Sequence, residues 1–204
     1  LADSEPFHFK AYNEMFQRYG HSLNPKEYWI EFTSKGKGIA GEINRHNLTI
    51  DADPVDMRKQ KFEIYSRICQ SGDIKLFPGA IELVERLSKK YSIAIASGSW
   101  IKDIRSILEN QNAKNLFSII LGKESAPKEK PYPDIFLEAA GQMGLAPESC
   151  FVVEDALKGL AASKAAGMKC IIIRNPLNLN IEFPDADLEF PDLNTFLEFV
   201  KKNT

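Results

Sequence analysis

The chain has few cysteines, and those it has argue against a disulfide framework. Cys69, Cys150 and Cys170 are odd in number and lack Cys-x-x-Cys spacing. Cys150 and Cys170 each adjoin a short apolar run, the setting of buried thiols in a reducing compartment. No apolar run approaches the ~18 residues of a membrane-spanning helix. Charge of one sign is also lacking: 26 Lys and Arg stand against 28 Asp and Glu, a net charge of −2. That balance gives no electrostatic footprint for nucleic acid or an anionic membrane. Internal repeats, low-complexity tracts and a visible signal peptide are absent as well, although the chain opens with Leu1 rather than Met. The expected location is cytoplasmic, and the expected state a monomer or weak dimer.

What remains is ordinary globular material. With 204 residues, 44% of them hydrophobic and 26% charged, the chain can bury a sizeable core in one or two domains.

Two textures divide it. From Pro6 to about Lys75 only helical signals occur. Phe7, Phe9, Ala11, Tyr12, Met15, Phe16 and Tyr19 recur at helical spacing, with Gly20 as C-cap. Tyr28 to Phe32 is a short aromatic stretch. Pro54 to Gln70 reads as a longer helix with proline in its first turn. After "LFPG" (Leu76 to Gly79), helices alternate with short apolar strands. Helices are expected over Ala80 to Lys90, Ile101 to Asn110, Pro133 to Met143, Ala156 to Ala166 and Asn194 to Lys201. Strands are expected at "SIAIAS" (Ser92 to Ser97), "LFSIIL" (Leu116 to Leu121), "CFVV" (Cys150 to Val153) and "KCIII" (Lys169 to Ile173). Such alternation indicates a parallel sheet covered on both faces. The expected architecture is an α/β, Rossmann-like core over residues 1–5 and 76–204, with an all-helical insertion over 6–75.

Ligands of open α/β sheets bind beyond the carboxyl ends of the strands. Two strands end there in working polar residues. One stops in Ser97, Gly98 and Ser99, where a hydroxyl and free backbone N–H groups suit phosphate. The other stops in Glu154 and Asp155, a carboxylate pair suited to a hard cation such as Mg²⁺. The plainer alternatives are a helix N-cap for Ser99 and helix-dipole placement for the acidic pair. Between them lies "KEKPYPDIF". Lys130 precedes Pro131 and is therefore expected in extended backbone, able to reach over the strand ends. Lys123 and Lys128 compete for that role. "GKGIAG" (Gly36 to Gly41) matches G-x-G-x-x-G, yet it lies among helical signals rather than between a strand and a long helix. It is read as a loop of the insertion, touching substrate through Lys35, Lys37 or Arg45, rather than as a dinucleotide site.

Taken in order, these stretches resemble the haloacid dehalogenase superfamily, in its phosphatase and phosphomutase branch with a helical cap. "SIAIASGS" resembles the second motif of that family, "EKPYPDIF" the third and "VVEDALKGLAASKAAGM" the fourth. "LFPGAIELVERL" is similar to the re-entry from cap to core. The resemblance implies that Ser97, with Gly98 and Ser99, binds phosphate, that Lys130 stabilises charge, and that Asp155 holds Mg²⁺ with support from Glu154. "LADSEPFHF" resembles the tail of the first motif, D-x-D-G-[TV]-L-x-D-[ST], with Leu1 in the place of its leucine. The nucleophilic and acid/base aspartates of that motif are expected just upstream of Leu1. The first strand of the family lies between the strands ending at Ser97 and Asp155. A chain read from Leu1 therefore leaves two inner edges unpaired, and an upstream segment is expected. His8 matches a histidine that assists proton handling or closure in mutase-like relatives, and a structural role is its alternative.

The function implied is a Mg²⁺-dependent phosphatase acting on a small phosphorylated metabolite through an aspartyl-phosphate. The alternatives are a sugar phosphomutase of the β-phosphoglucomutase type, in which Arg45 and Lys35 hold the sugar, and a binding protein that keeps the fold without the nucleophile.

Overall fold

Two units organise the computed structural model, which describes residues 1–203: Ala2–Lys75, and Leu1 together with the chain from Leu76 onward. In the first unit every regular element is helical. Helix α1 (Glu5–Gln17) begins with proline in its first turn and buries Ala11, Met15 and Phe16. It is capped by Arg18, and the expected C-cap Gly20 instead takes the left-handed φ of 74° in the turn beyond. Helix α2 (Pro25–Glu27) starts at Asn24, whose side chain accepts the N–H groups of Lys26 and Glu27. It runs into a π-helical turn, Tyr28–Ser34, which takes up the aromatic stretch and buries Tyr28 and Phe32. Helix α3 (Gly38–Arg45) takes up the second half of "GKGIAG", so that stretch opens a helix rather than forming a loop. Helix α4 (Pro54–Ser71) is capped by the Asp53 side chain and ends at Gly72, with a φ of 82°. It packs along α1, burying Met57, Ile64, Tyr65 and Cys69.

The second unit is α/β. In order it contains α5 (Ala80–Leu87), β1 (Ala94–Ala96), α6 (Ile101–Asn110), β2 (Ile119–Leu121), α7 (Asp134–Met143), β3 (Phe151–Glu154), α8 (Leu157–Ala165), β4 (Lys169–Ile173), β5 (Leu188–Phe190) and α9 (Leu193–Asn203). All pairings are parallel. β1 pairs with β2, and β3–β4–β5 form a second sheet; no ladder joins β1 to β3 among the described residues. Strand side chains alternate between layers as the pleat requires. Ala94 and Ala96 face α7 with Val152, whereas Ile93 and Ile95 face α6. In β4, Cys170 and Ile172 face Leu160 of α8, whereas Ile171 and Ile173 face α5 and α9. Helices therefore cover both faces, and the α7–α8 layer spans the two sheets through one apolar cluster.

Strands β1 and β2 are shorter than the apolar runs that announce them, β4 matches its run, and β3 is shifted by one residue, taking in Glu154. Pro133 precedes α7 instead of opening it. Strand β5 carries no apolar run of its own. It is held through Arg174, whose Nε donates to Glu189 at 2.9 Å.

Candidate active site

Parallel packing brings the carboxyl ends of β1 and β3 to the same end of their layers, and the loops there carry the polar groups. Ser97 follows β1, and its N–H donates to the Leu121 carbonyl at 3.0 Å, extending the ladder by one residue. Its hydroxyl oxygen accepts the Ser99 N–H at 3.1 Å, a tight turn in which the hydroxyl proton can still be donated. Gly98 is exposed at the turn, while Ser99 is buried. Ser99 is not the N-cap of α6. That position falls to Trp100, and the first helical N–H, from Ile101, donates instead to Glu124 at 3.0 Å. This close approach requires Gly122, where a Cβ would stand 2.6 Å from the Ile101 nitrogen and 2.7 Å from the Ser99 carbonyl oxygen.

Lys130 joins the two strand ends. Its Nζ donates to the Ala96 carbonyl at 3.1 Å and to Glu154 Oε1, and lies 4.5 Å from the centre of the Phe136 ring. The side chains of Lys130 and Glu154 are each only 12% exposed. Burial alone would raise the Glu154 pKa. The Lys130 charge and hydrogen bond, the Asp155 N–H and Lys158 outweigh it, holding the carboxyl below its ordinary value and ionised. The carboxylate also rests on Gly159 of α8, where any Cβ would fall within it. Of the rival lysines, Lys123 pairs with Glu129 and Lys128 lies over the Tyr132 ring.

Asp155, next in the chain, is exposed. Its Oδ2 accepts from Asn175 at 3.0 Å, and its carbonyl accepts from the buried Asn178 at 2.9 Å. Asn178 also donates to the Ile173 carbonyl at 3.1 Å and accepts the Asn175 N–H at 2.9 Å. The loop after β4 thus orients Asp155. Neither asparagine was anticipated, although both follow the carboxyl end of a parallel strand, the place where such loops serve a site. The donor set suits a hard cation: Asp155 offers accessible carboxylate oxygen fixed by its neighbours, and no thiolate or imidazole intervenes. Glu154 has one oxygen on the Lys130 ammonium and the other on the Asp155 N–H, so in this arrangement it serves as counter-ion to the lysine.

Six of the sequence-derived site residues, Ser97, Gly98, Ser99, Lys130, Glu154 and Asp155, therefore lie at neighbouring strand ends of the α/β unit. His8 and Arg45 belong to the helical unit. His8 stacks on Tyr65 with ring centroids 3.8 Å apart, and its Nδ1 is 2.8 Å from Lys61 Nζ. Lys61 is buried among aromatic faces, 4.7 Å from the Tyr12 centroid and 4.6 Å from those of Phe62 and Tyr65. Arg45 stands 3.5 Å from both Glu27 and Glu42, so a phosphate drawn to it would compete with two carboxylates. Lys35 and Lys37 are both paired with Glu31, at 2.6 and 2.9 Å.

The haloacid dehalogenase-like hydrolase family matches residues 1–173. The chain belongs to that family. Protein CbbY of Rhodobacter capsulatus is 29% identical over 95% of this chain and 89% of its own length. Solved structures of CbbY from Rhodobacter sphaeroides, one with phosphate and one, a point variant, with xylulose-(1,5)bisphosphate, are each 27% identical with a TM-score of 0.81. They cover 98% and 97% of this chain and 91% of their own. The fructose-1-phosphate phosphatase YqaB of Escherichia coli is 29% identical over 85% of this chain and 91% of its own. The protein is thus an enzyme of the phosphatase and phosphomutase branch of the haloacid dehalogenase-like hydrolases. No helix among its described residues is long and apolar enough to cross a membrane.

Proposed function

We propose that this hydrolase is a Mg²⁺-dependent phosphatase that cleaves a small phosphorylated metabolite through an aspartyl-phosphate. The nucleophile is an aspartate of the first family motif, whose tail the stretch from Leu1 resembles. One observation supports the reading: Lys130 is bonded at once to the last residue of β1 and to the carboxylate ending β3, the residues that precede Ser97 and Asp155 in the chain. In this reading the Ser97 hydroxyl donates to a phosphoryl oxygen, and the exposed turn at Gly98 lets that oxygen approach the backbone. Lys130 places positive charge where the transferring group gathers negative charge, the largest contribution such sites make. Glu154 keeps the lysine in position and ionised. Asp155, oriented by Asn175 and Asn178, would hold Mg²⁺, which when bound supplies Lewis-acid neutralisation of phosphoryl charge.

Relatives that act on fructose 1-phosphate or were crystallised with xylulose-(1,5)bisphosphate make sugar phosphates the first substrates to try. The test is turnover by full-length protein of p-nitrophenyl phosphate and a panel of sugar mono- and bisphosphates, with Mg²⁺ and with EDTA. Phosphate release that EDTA abolishes is expected. No release from any ester in the presence of Mg²⁺ would overturn the reading.

A further inference from the structure

Outside the α/β unit, the densest group of potential metal ligands lies in the helical unit. Glu42 on α3 is 1% exposed, and two imidazoles aim at its Oε1. His21 Nε2 is 2.9 Å away and His46 Nε2 is 3.4 Å away. Glu42 and His46 are four residues apart and so share one helix face. His21 comes from the turn after α1, just beyond the left-handed Gly20. One ligand atom from each of the three lies within 4.8 Å of the other two. A fourth donor is adjacent, since Glu27 Oε2 of α2 stands 2.9 Å from His46 Nε2.

We infer that His21, Glu42 and His46, with Glu27 as fourth ligand, form a binding site for a transition-metal dication of the Zn²⁺ type. The donor set of two imidazole nitrogens and carboxylate oxygen suits Zn²⁺ or Co²⁺ and not Mg²⁺, which takes oxygen almost alone. Size agrees as well. Tetrahedral bonds of ~2.0–2.1 Å place neighbouring ligand atoms ~3.3 Å apart, and the 2.9 and 3.4 Å separations bracket that figure. Charge also agrees. With neutral imidazoles, Glu27 and Glu42 contribute −2 and Arg45, 3.5 Å from each, contributes +1, leaving −1 around the buried Glu42 for a cation to offset. On binding, the metal takes the Nε2 lone pair of each histidine, and each ring keeps its single proton on Nδ1. With four protein ligands the site is closed and structural. It staples the turn after α1 to α2 and α3, elements too short to be stable alone.

The inference does not depend on the phosphatase reading and is tested without activity. The full chain carrying Asp155→Asn, which silences the core cation site, is stripped with EDTA and titrated with Co²⁺ and Zn²⁺ in excess Mg²⁺. One equivalent is expected, with the intense visible absorption of four-coordinate Co²⁺ and a rise in melting temperature on adding Zn²⁺. His46→Ala, at a partly exposed position, and His21→Ala are each expected to abolish the Co²⁺ spectrum and weaken Zn²⁺ by more than about ten-fold. Circular dichroism checks that both variants are folded. Glu42→Gln should do the same, and if it does not fold, the two histidine variants decide the matter. Absence of Co²⁺ absorption, or binding that survives both histidine substitutions, would overturn the inference and leave a hydrogen-bonded ion cluster.

Discussion

The two units each bury a carboxylate, and they satisfy it differently. Glu154 in the α/β unit meets one ammonium and one backbone N–H. Glu42 in the helical unit meets two imidazoles and a guanidinium. A charge held by a single flexible lysine can lend that lysine to a substrate phosphate without losing its own hydrogen bond to the backbone. A charge ringed by the turn after α1 and by its own helix ties those two segments together, and the part it plays is architectural. Burial of charge thus accompanies the proposed active site in one unit and the cohesion of neighbouring segments in the other, and the partners distinguish them.

The largest expected effect breaks the first half of this contrast. Lys130→Ala removes positive charge from the phosphoryl position and leaves Glu154 buried without its counter-ion. Turnover should fall about 10²- to 10³-fold, and urea unfolding should register a loss of about 3–5 kcal/mol. Because Lys130 holds the Glu154 pKa down, that carboxylate stabilises the fold above its ordinary pKa, and the contribution is lost as pH falls from there through the lowered value. In the variant burial acts on Glu154 without the lysine and raises its pKa, so the cost of the substitution should be largest near neutral pH and shrink in acid as that carboxyl takes up a proton. Gly159→Ala comes next, since the added methyl falls where the Glu154 carboxylate sits. A loss of about 1–3 kcal/mol is expected with reduced activity, read by urea melts and by kcat. Asn178→Ala removes the donor to the Asp155 and Ile173 carbonyls. A cost of about 1–2 kcal/mol, with a raised Mg²⁺ requirement in a metal titration, would confirm that this loop positions Asp155.

The smallest effect sharpens the contrast from the exposed side. Hydrogen bonds from Lys35 and Lys37 bring the partly exposed Glu31 carboxyl to about 2. Its contribution is present above the unfolded value of 4.5 and disappears as pH falls toward 2. Lys35→Ala with Lys37→Ala should return the carboxyl to the ordinary range in an NMR titration while leaving the melting temperature near neutral pH almost unmoved.

Much of the site was legible in the sequence because strands of a parallel sheet announce themselves as apolar runs. The residues that end such runs are placed by topology alone, as Ser97 and Asp155 were. The loop before α7 offered three lysines, the family resemblance singled out Lys130, and the structure bonds that lysine to Ala96 and Glu154. The division of the strands into two sheets, with Phe151 and Val153 of β3 about two-fifths exposed, follows from pairing and not from any single run. Asn175 and Asn178 lay in an unremarkable loop, since small polar residues after a strand look alike whether they cap a turn or orient a ligand. In the helical unit the aromatic periodicity located the helices. The meeting of His21, Glu42 and His46 stayed hidden, because His21 is 21 residues from Glu42 and joins it only through the turn after α1.

The convergence of Ser97, Lys130 and Asp155 on one phosphate is tested most directly by competitive inhibition with inorganic phosphate across a range of Mg²⁺. The inhibition constant should tighten as Mg²⁺ rises in the wild type. It should weaken in Ser97→Ala and Lys130→Ala with the Mg²⁺ dependence kept, and lose that dependence in Asp155→Asn. Constants that stay at the wild-type value in all three variants would mean that these side chains do not share a ligand.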